Sequence, residues 1–166
     1  MDNKIRSEGC IFFSGELEKI GELIKNNPID FDIIKSKSLV SLPKDVSEFI
    51  SERKFIVSIG RLETIKNHSF LINSISNYLV SNNIALVIIG DGSEKSNIQN
   101  IINQNFLQNH ILLIGFDSNP YRFISRSNIL IHPSKFEGFG LVLLESIFLK
   151  KPVISSNFDV AYEVLE

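Results

Sequence analysis

From Lys54 onward, short and almost wholly apolar runs alternate with longer segments of helical periodicity, and this alternation constrains the fold more than any other feature. Lys54–Ile59 (KFIVSI), Ile84–Ile89 (IALVII), Ile111–Ile114 (ILLI), Asn128–His132 (NILIH) and Val153–Ser155 read as strands. Between them, Asn67–Val80, Ser93–Asn105, Pro120–Ser125 and Leu141–Leu149 read as helices; in the first, Phe70, Leu71, Ile75 and Leu79 recur at helical spacing. Strands that alternate with helices build right-handed βαβ units and a parallel sheet. Runs with no polar alternation belong to strands covered on both faces. The expected fold class is therefore α/β, a doubly wound, Rossmann-like parallel sheet.

The first fifty residues follow another pattern. Gly15–Lys25 reads as a helix with Leu17, Ile20 and Ile24 on one face, Asn27-Pro28-Ile29-Asp30 as a turn, and Ser36–Pro43 as a loop. The segment is too short for a core of its own. Ala161–Glu166 begins like a helix and the chain stops there, so a fragment of a larger sheet is expected.

Composition excludes several classes. Hydrophobic residues make up 43% and charged residues 22% of the 166, which is ordinary for a globular domain. A net charge of -2 provides no footprint for nucleic acid. The single cysteine, Cys10, cannot form an internal disulfide and fits a reducing compartment. No apolar run reaches the roughly 18 residues of a membrane helix, and no secretory leader is apparent. The three histidines and Cys10 lack metal-ligand spacing, so no metal is expected. His68 and His110 read as surface residues. His132, at a strand end, is read equally well as a site residue or a structural histidine.

In open parallel sheets, ligands bind beyond the carboxyl ends of the strands. Here those ends carry Gly60-Arg61 with Lys66 close behind, Gly90-Asp91-Gly92, Gly115-Phe116, and Pro133-Ser134 followed by FEGFG. Arg61 and Lys66 suit phosphate oxygens. The helix after FEGFG begins near Gly140-Leu141, and its first amides suit an anion. Glu145 lies inside that apolar helix, roughly 6–7 Å along the axis from its start; Glu137 lies on the loop before it. A nucleotide sugar has the matching layout, with pyrophosphate at the helix start, ribose at Glu145 and hexose at Glu137. Vicinal hydroxyls would satisfy a carboxylate whose burial otherwise costs several kcal/mol. Each signal alone has a plainer explanation. Glu145 could face solvent or cap a neighbour, Arg61 could be a surface cation, and Gly90-Asp91-Gly92 could be a turn. Asn119-Pro120-Tyr121 reads as a helix start with Asn119 as N-cap and Pro120 at N1. The joint placement on one rim carries the reading.

These residues resemble a known family. Gly60-Arg61 with Lys66-Asn67, Gly90-Asp91-Gly92, the stretch GFDSNPYRFISRSNILIHPSKFEGFGLVLLES (Gly115 to Ser146), KPVISS and Glu163 resemble, in order, the donor-domain motifs of retaining glycosyltransferases of family four, which have the GT-B fold. Glu137 and Glu145 match that family's pair of glutamates with seven residues between them. NPY with EGFG looks like the bacterial type that builds surface polysaccharides and lipopolysaccharide. The resemblance covers about residues 26–166 and implies a partial C-terminal donor-binding domain, truncated at both ends, with residues 1–25 as a linker or N-terminal helical segment. It implies that Arg61, Lys66 and the backbone of Phe139, Gly140, Leu141 and Val142 hold the donor pyrophosphate. Gly115 and Phe116 would lie near the base, Glu145 would bind the ribose, and Glu137 would bind the transferred sugar as the catalytic residue. It also implies no cofactor, and a saccharide or lipid-linked acceptor bound by an N-terminal domain not found in this chain. Peripheral membrane association would come through that domain, in the cytoplasm at the inner face of the membrane. Phe158-Asp159-Val160 departs from the family, which often has glycines there. Other classes stay open: a non-catalytic fragment that partners another chain, or a sugar-nucleotide epimerase of the same fold. A nicotinamide-dependent enzyme would need G-x-G-x-x-G, and Lys95 stands where its third glycine would fall after Gly90 and Gly92.

Overall fold

The structure is a computed structural model, which describes residues 4–7, 10–13 and 29–159. The expected alternation is present. The elements are β1 (Lys4–Ser7), β2 (Cys10–Phe13), α1 (Phe31–Ser38), α2 (Lys44–Ile50), β3 (Phe55–Ile59), α3 (His68–Ser81), β4 (Ala85–Ile89), α4 (Lys95–Gln104), β5 (Ile111–Gly115), α5 (Tyr121–Ile124), β6 (Ile129–His132), α6 (Leu141–Phe148) and β7 (Val153–Ser156). A 3-10 turn at Thr64–Lys66 precedes α3.

One sheet runs in the order β1-β2-β7-β6-β3-β4-β5. Strands β3 to β7 are parallel. β3 lies between β4 and β6, so the chain winds outward from it first one way and then the other. The crevice between β3 and β6 is the topological switch point at which such sheets take ligands. β2 pairs antiparallel with β7 and β1 with β2, which extends the sheet beyond its parallel part.

The core lies on both faces of the sheet. On one, Phe55, Val57, Ala85, Val87, Leu130 and Val153 pack against Val46 and Ile50 of α2, Phe123 and Ile124 of α5, and Leu143, Leu144 and Ile147 of α6. On the other, Ile56, Leu86 and Ile88 pack against Leu71, Ile72 and Leu79 of α3 and Ile98 and Ile102 of α4. Each fully buried aliphatic side chain contributes about 1.5–3 kcal/mol. Burial on both faces is why these strands show no polar alternation.

The structure differs from the sequence reading at two places in the N-terminal part. The expected loop at Ser36–Pro43 begins three residues later, because α1 continues to Ser38. Asp30 starts that helix by accepting the Ile33 N–H at 3.0 Å. Its far end is held from a distance: Ser125 Oγ and Arg126 Nη1 donate to the Ser38 carbonyl at 3.0 and 2.9 Å. Capping groups nearly ninety residues away are invisible to local pattern. The second is an element that the sequence reading leaves unassigned, α2, which carries Val46 and Ile50 into the core. The helix expected at Gly15–Lys25 lies outside the described residues, as does Glu163.

Candidate donor-binding cleft

Two loops and one helix start meet above the switch point. After β3 the chain turns at Gly60-Arg61 and threads past β4. Gly90 is required there, since a Cβ at this position would meet the Gly60 carbonyl oxygen at 1.9 Å. Gly90-Asp91-Gly92 is thus explained by close backbone packing. After β6, the loop from Pro133 to Gly140 leads into α6. Gly140 adopts left-handed backbone geometry (φ 61°) as N-cap, and no side chain caps the helix. The Leu143 N–H closes back on the Gly140 carbonyl at 2.9 Å. The amides of Leu141 and Val142 are left without an acceptor among the described residues, and such amides favour an anion.

A cleft of about 400 Å³ opens between these parts, lined by Gly60, Arg61, Lys66, His132, Glu137, Phe139, Gly140, Leu141, Val142 and Glu145, with Ile59 and Gly138. Nearly every candidate side chain therefore converges on one place. A second hollow of about 400 Å³ shares Ile59, Gly60 and Arg61 with the first and is walled by Phe116, Asp117, Ser118 and Pro120. Phe116 is largely exposed there. Gly115 does not line either hollow; it ends β5, and its carbonyl accepts the Gly90 N–H at 2.8 Å.

The two glutamates sit in opposite environments. Glu137 Oε1 is bonded to the Lys66 ammonium and lies 2.7 Å from His132 Nε2. Partial burial pushes its pKa up, but the hydrogen bonds and charges of His132 and Lys66 outweigh this and hold it at about 2. Among the described residues, Glu145 has no cation against it. Burial pushes its pKa up to about 7, against a hydrogen bond that pulls it down. That bond comes from Tyr121 Oη, which donates to Glu145 Oε1 at 3.2 Å.

Three histidine and helix-start readings need revision. His68 is buried, not a surface residue, and burial, with His132 and Lys66 nearby, lowers its pKa to about 4. His110 is half-buried, its Nδ1 lying 3.3 Å from the Ile84 carbonyl. Asn119 does not cap α5: Pro120 holds the N-cap position with no side-chain bond, while Asn119 Nδ2 donates to the Lys37 carbonyl at 3.0 Å. His132 and Tyr121 are the residues that pattern alone did not assign to the cleft. The position of His132 at the end of β6 was the available signal; the partnership of Tyr121 with Glu145, 24 residues on, gave none. Phe158 stands where glycines were expected, buried with its ring edge-on to His132 at 5.9 Å, and so backs the cleft rather than opening it.

Comparison with known proteins gives the family and the fold. Residues 43–166 match the profile of the family described as "Glycosyl transferases group 1". The chain belongs to that family. It is 34% identical over 131 residues to an N-acetylgalactosamine-N,N'-diacetylbacillosaminyl-diphospho-undecaprenol 4-alpha-N-acetylgalactosaminyltransferase of Campylobacter jejuni, an alignment spanning 79% of this chain and 33% of the relative. It is 37% identical over 83 residues to the O-antigen biosynthesis glycosyltransferase WclY of Escherichia coli, spanning 50% of this chain and 24% of that one. Among solved structures, Anabaena HepE in complex with UDP-glucose superimposes with a TM-score of 0.68 over 84% of this chain and 40% of its own, at 20% identity. That likeness shows the fold. The group 1 chain described here spans a third or less of the length of these two curated relatives. Among its described residues no helix is long and apolar enough to cross a membrane.

Proposed function

We propose that this chain is the donor-binding half of a retaining glycosyltransferase, taking the nucleoside diphosphate of a nucleotide sugar at the switch point of its sheet. The observation that carries this reading is the convergence of Arg61, Lys66, Glu137, Glu145 and the uncapped start of α6 on one cleft. The diphosphate lies between Arg61, Lys66 and the free amides at Leu141 and Val142. The ribose reaches Glu145, the base enters the neighbouring hollow beside Phe116, and the hexose points toward Glu137.

As the bond from sugar to phosphate breaks, negative charge grows on the departing diphosphate. Arg61 and Lys66 line the cleft beside the start of α6, and positive groups held in place at such a site stabilise that charge with little reorganisation. Lys66 lies between the diphosphate site and Glu137, so the same ammonium links the leaving group to the carboxylate beside the sugar. The pairing of Glu137 with Lys66 and His132 keeps it ionised, suited to accept sugar hydroxyls rather than to act as an acid. The acceptor, a saccharide or lipid-linked glycan of the kind found in surface-polysaccharide synthesis, is bound by a domain beyond these residues. Transfer proceeds with no metal. Calorimetry with UDP, GDP and ADP tests the reading: one of them binds, and a folded protein that gives no heat with any of the three refutes it.

A further inference from the structure

Glu145 lies in the most apolar helix of the cleft, yet its carboxylate is not free to choose its direction. Its one side-chain partner among the described residues is the hydroxyl of Tyr121. Tyr121 opens α5 and packs against the core cluster of α5 and α6. The turn that delivers it is tied down: Asp117 Oδ1 accepts the Asn119 N–H at 2.7 Å, and Arg122 Nη2 donates to Asp117 Oδ2 at 2.5 Å. The hydroxyl thus arrives at Glu145 from a braced ring. Burial and the neighbouring Glu145 push the Tyr121 pKa up to about 12, so at neutral pH the phenol keeps its proton and donates it. A carboxylate has about four acceptor positions. One bond to Oε1 leaves Oε2 entirely open, together with part of Oε1, which is what two adjacent sugar hydroxyls need.

We propose that Tyr121 is a positioning residue: its hydroxyl fixes the Glu145 carboxylate in the orientation that accepts the two ribose hydroxyls of the donor. This rests on the donor-binding reading above, with the ribose at Glu145. It also joins the two hollows, because the residues before Tyr121, from Phe116 to Pro120, wall the hollow assigned to the base. The charged groups sharing the cleft with Glu145 are Arg61, Lys66 and Glu137, with His132 bonded to Glu137; none of them bonds to Glu145, so among the described residues no other side chain takes the tyrosine's place.

The test compares Tyr121→Phe with the wild type. Binding is measured for whichever of UDP, GDP and ADP the wild type takes most tightly, for its 2',3'-dideoxy analogue, and for inorganic pyrophosphate. The wild type is expected to prefer the ribose form over the dideoxy form about tenfold or more. Tyr121→Phe is expected to cut that preference at least threefold while pyrophosphate affinity stays within twofold. In a Glu145→Gln background, the same substitution should change nothing further, a silence that a merely structural role for the ring would not produce. If the wild type does not distinguish ribose from dideoxyribose, the placement of ribose at Glu145 is wrong and the role of Tyr121 falls with it. If the wild type does distinguish them and Tyr121→Phe does so equally well, Glu145 binds ribose unaided and the positioning role is overturned. Equal losses for pyrophosphate and nucleotide overturn it as well, since they would show a general loosening of the cleft.

Discussion

Glu137 and Glu145 line the same cleft eight positions apart, and their surroundings make them different reagents. Glu137 sits on a loop, meets a lysine and a histidine, and is held at about 2. Glu145 sits in a helix among leucines, meets one phenol, and rises to about 7. The first is an ion whose charge the protein has already paired, through Oε1. The second is an ion that the protein leaves short of partners, so a ligand that brings hydroxyls gains most by meeting it there. Burial without a counter-charge marks a place prepared for a ligand's own donors.

Several changes would break or sharpen this contrast. The largest effect is expected from Arg61→Ala. Arg61 lines both hollows and belongs to neither glutamate; in the proposed donor pose its loss removes a charge-assisted bond to the diphosphate, worth about 1.5–3 kcal/mol. Dissociation constants for the nucleoside diphosphate and its sugar ester should both rise about tenfold or more in calorimetry. A selective loss for one of the two would show that Arg61 reads only one end of the donor.

The next effect is on pH dependence. If the donor's ribose sits at Glu145 as proposed, its hydroxyls favour the ionised carboxylate, and binding lowers a pKa that stands at about 7 in the empty cleft. Affinity should therefore be full above pH 7 and decline as pH falls below it, by several-fold between pH 8 and 6. A terminal phosphate also titrates, at about pH 6, and Glu145→Gln separates the two causes because it should abolish only the upper step. An unchanged profile in Glu145→Gln would remove Glu145 from the ribose.

The smallest effects are on stability, and they should have opposite signs. Glu137 has a folded pKa below its ordinary value of 4.5, so it contributes stability above about pH 4.5 that is lost as pH falls toward 2. Glu145 has a raised folded pKa, so it weakens the fold progressively as pH rises from 4.5 to 7. At pH 8, Glu137→Gln should lower the melting temperature by about 2–4 °C, the shift for roughly 1 kcal/mol in a chain this size. Glu145→Gln should leave it unchanged or raise it slightly. Melting curves in which both variants lose the same amount would contradict the contrast.

The parallel sheet was legible because strands buried on both faces must be apolar along their whole length, and Ile84–Ile89, which contains the fully buried β4, shows it most plainly. The convergence at the cleft was legible because strand ends point to one rim, which placed Arg61, Lys66, Glu137 and Glu145 before any coordinate did. Long-range partners were not. The polar run through Ser38 looks like a loop until Ser125 and Arg126 are seen to cap it. His68 looks like a surface histidine because nothing local to Asn67-His68-Ser69 reveals that α3 turns it inward. The pairing of β2 with β7 joins segments some 140 residues apart and left no local trace.

The central claim is that the cleft divides a nucleotide sugar between its two glutamates, and one comparison tests it most directly. Glu145→Gln and Glu137→Gln, each shown to be folded, are titrated with the nucleoside diphosphate that binds the wild type best and with its hexose ester. Glu145→Gln should weaken both ligands about tenfold or more, and Glu137→Gln should leave the bare diphosphate within about twofold while weakening the ester. If Glu137→Gln harms the bare diphosphate more than Glu145→Gln does, the assignment of ribose and hexose to these two carboxylates is wrong.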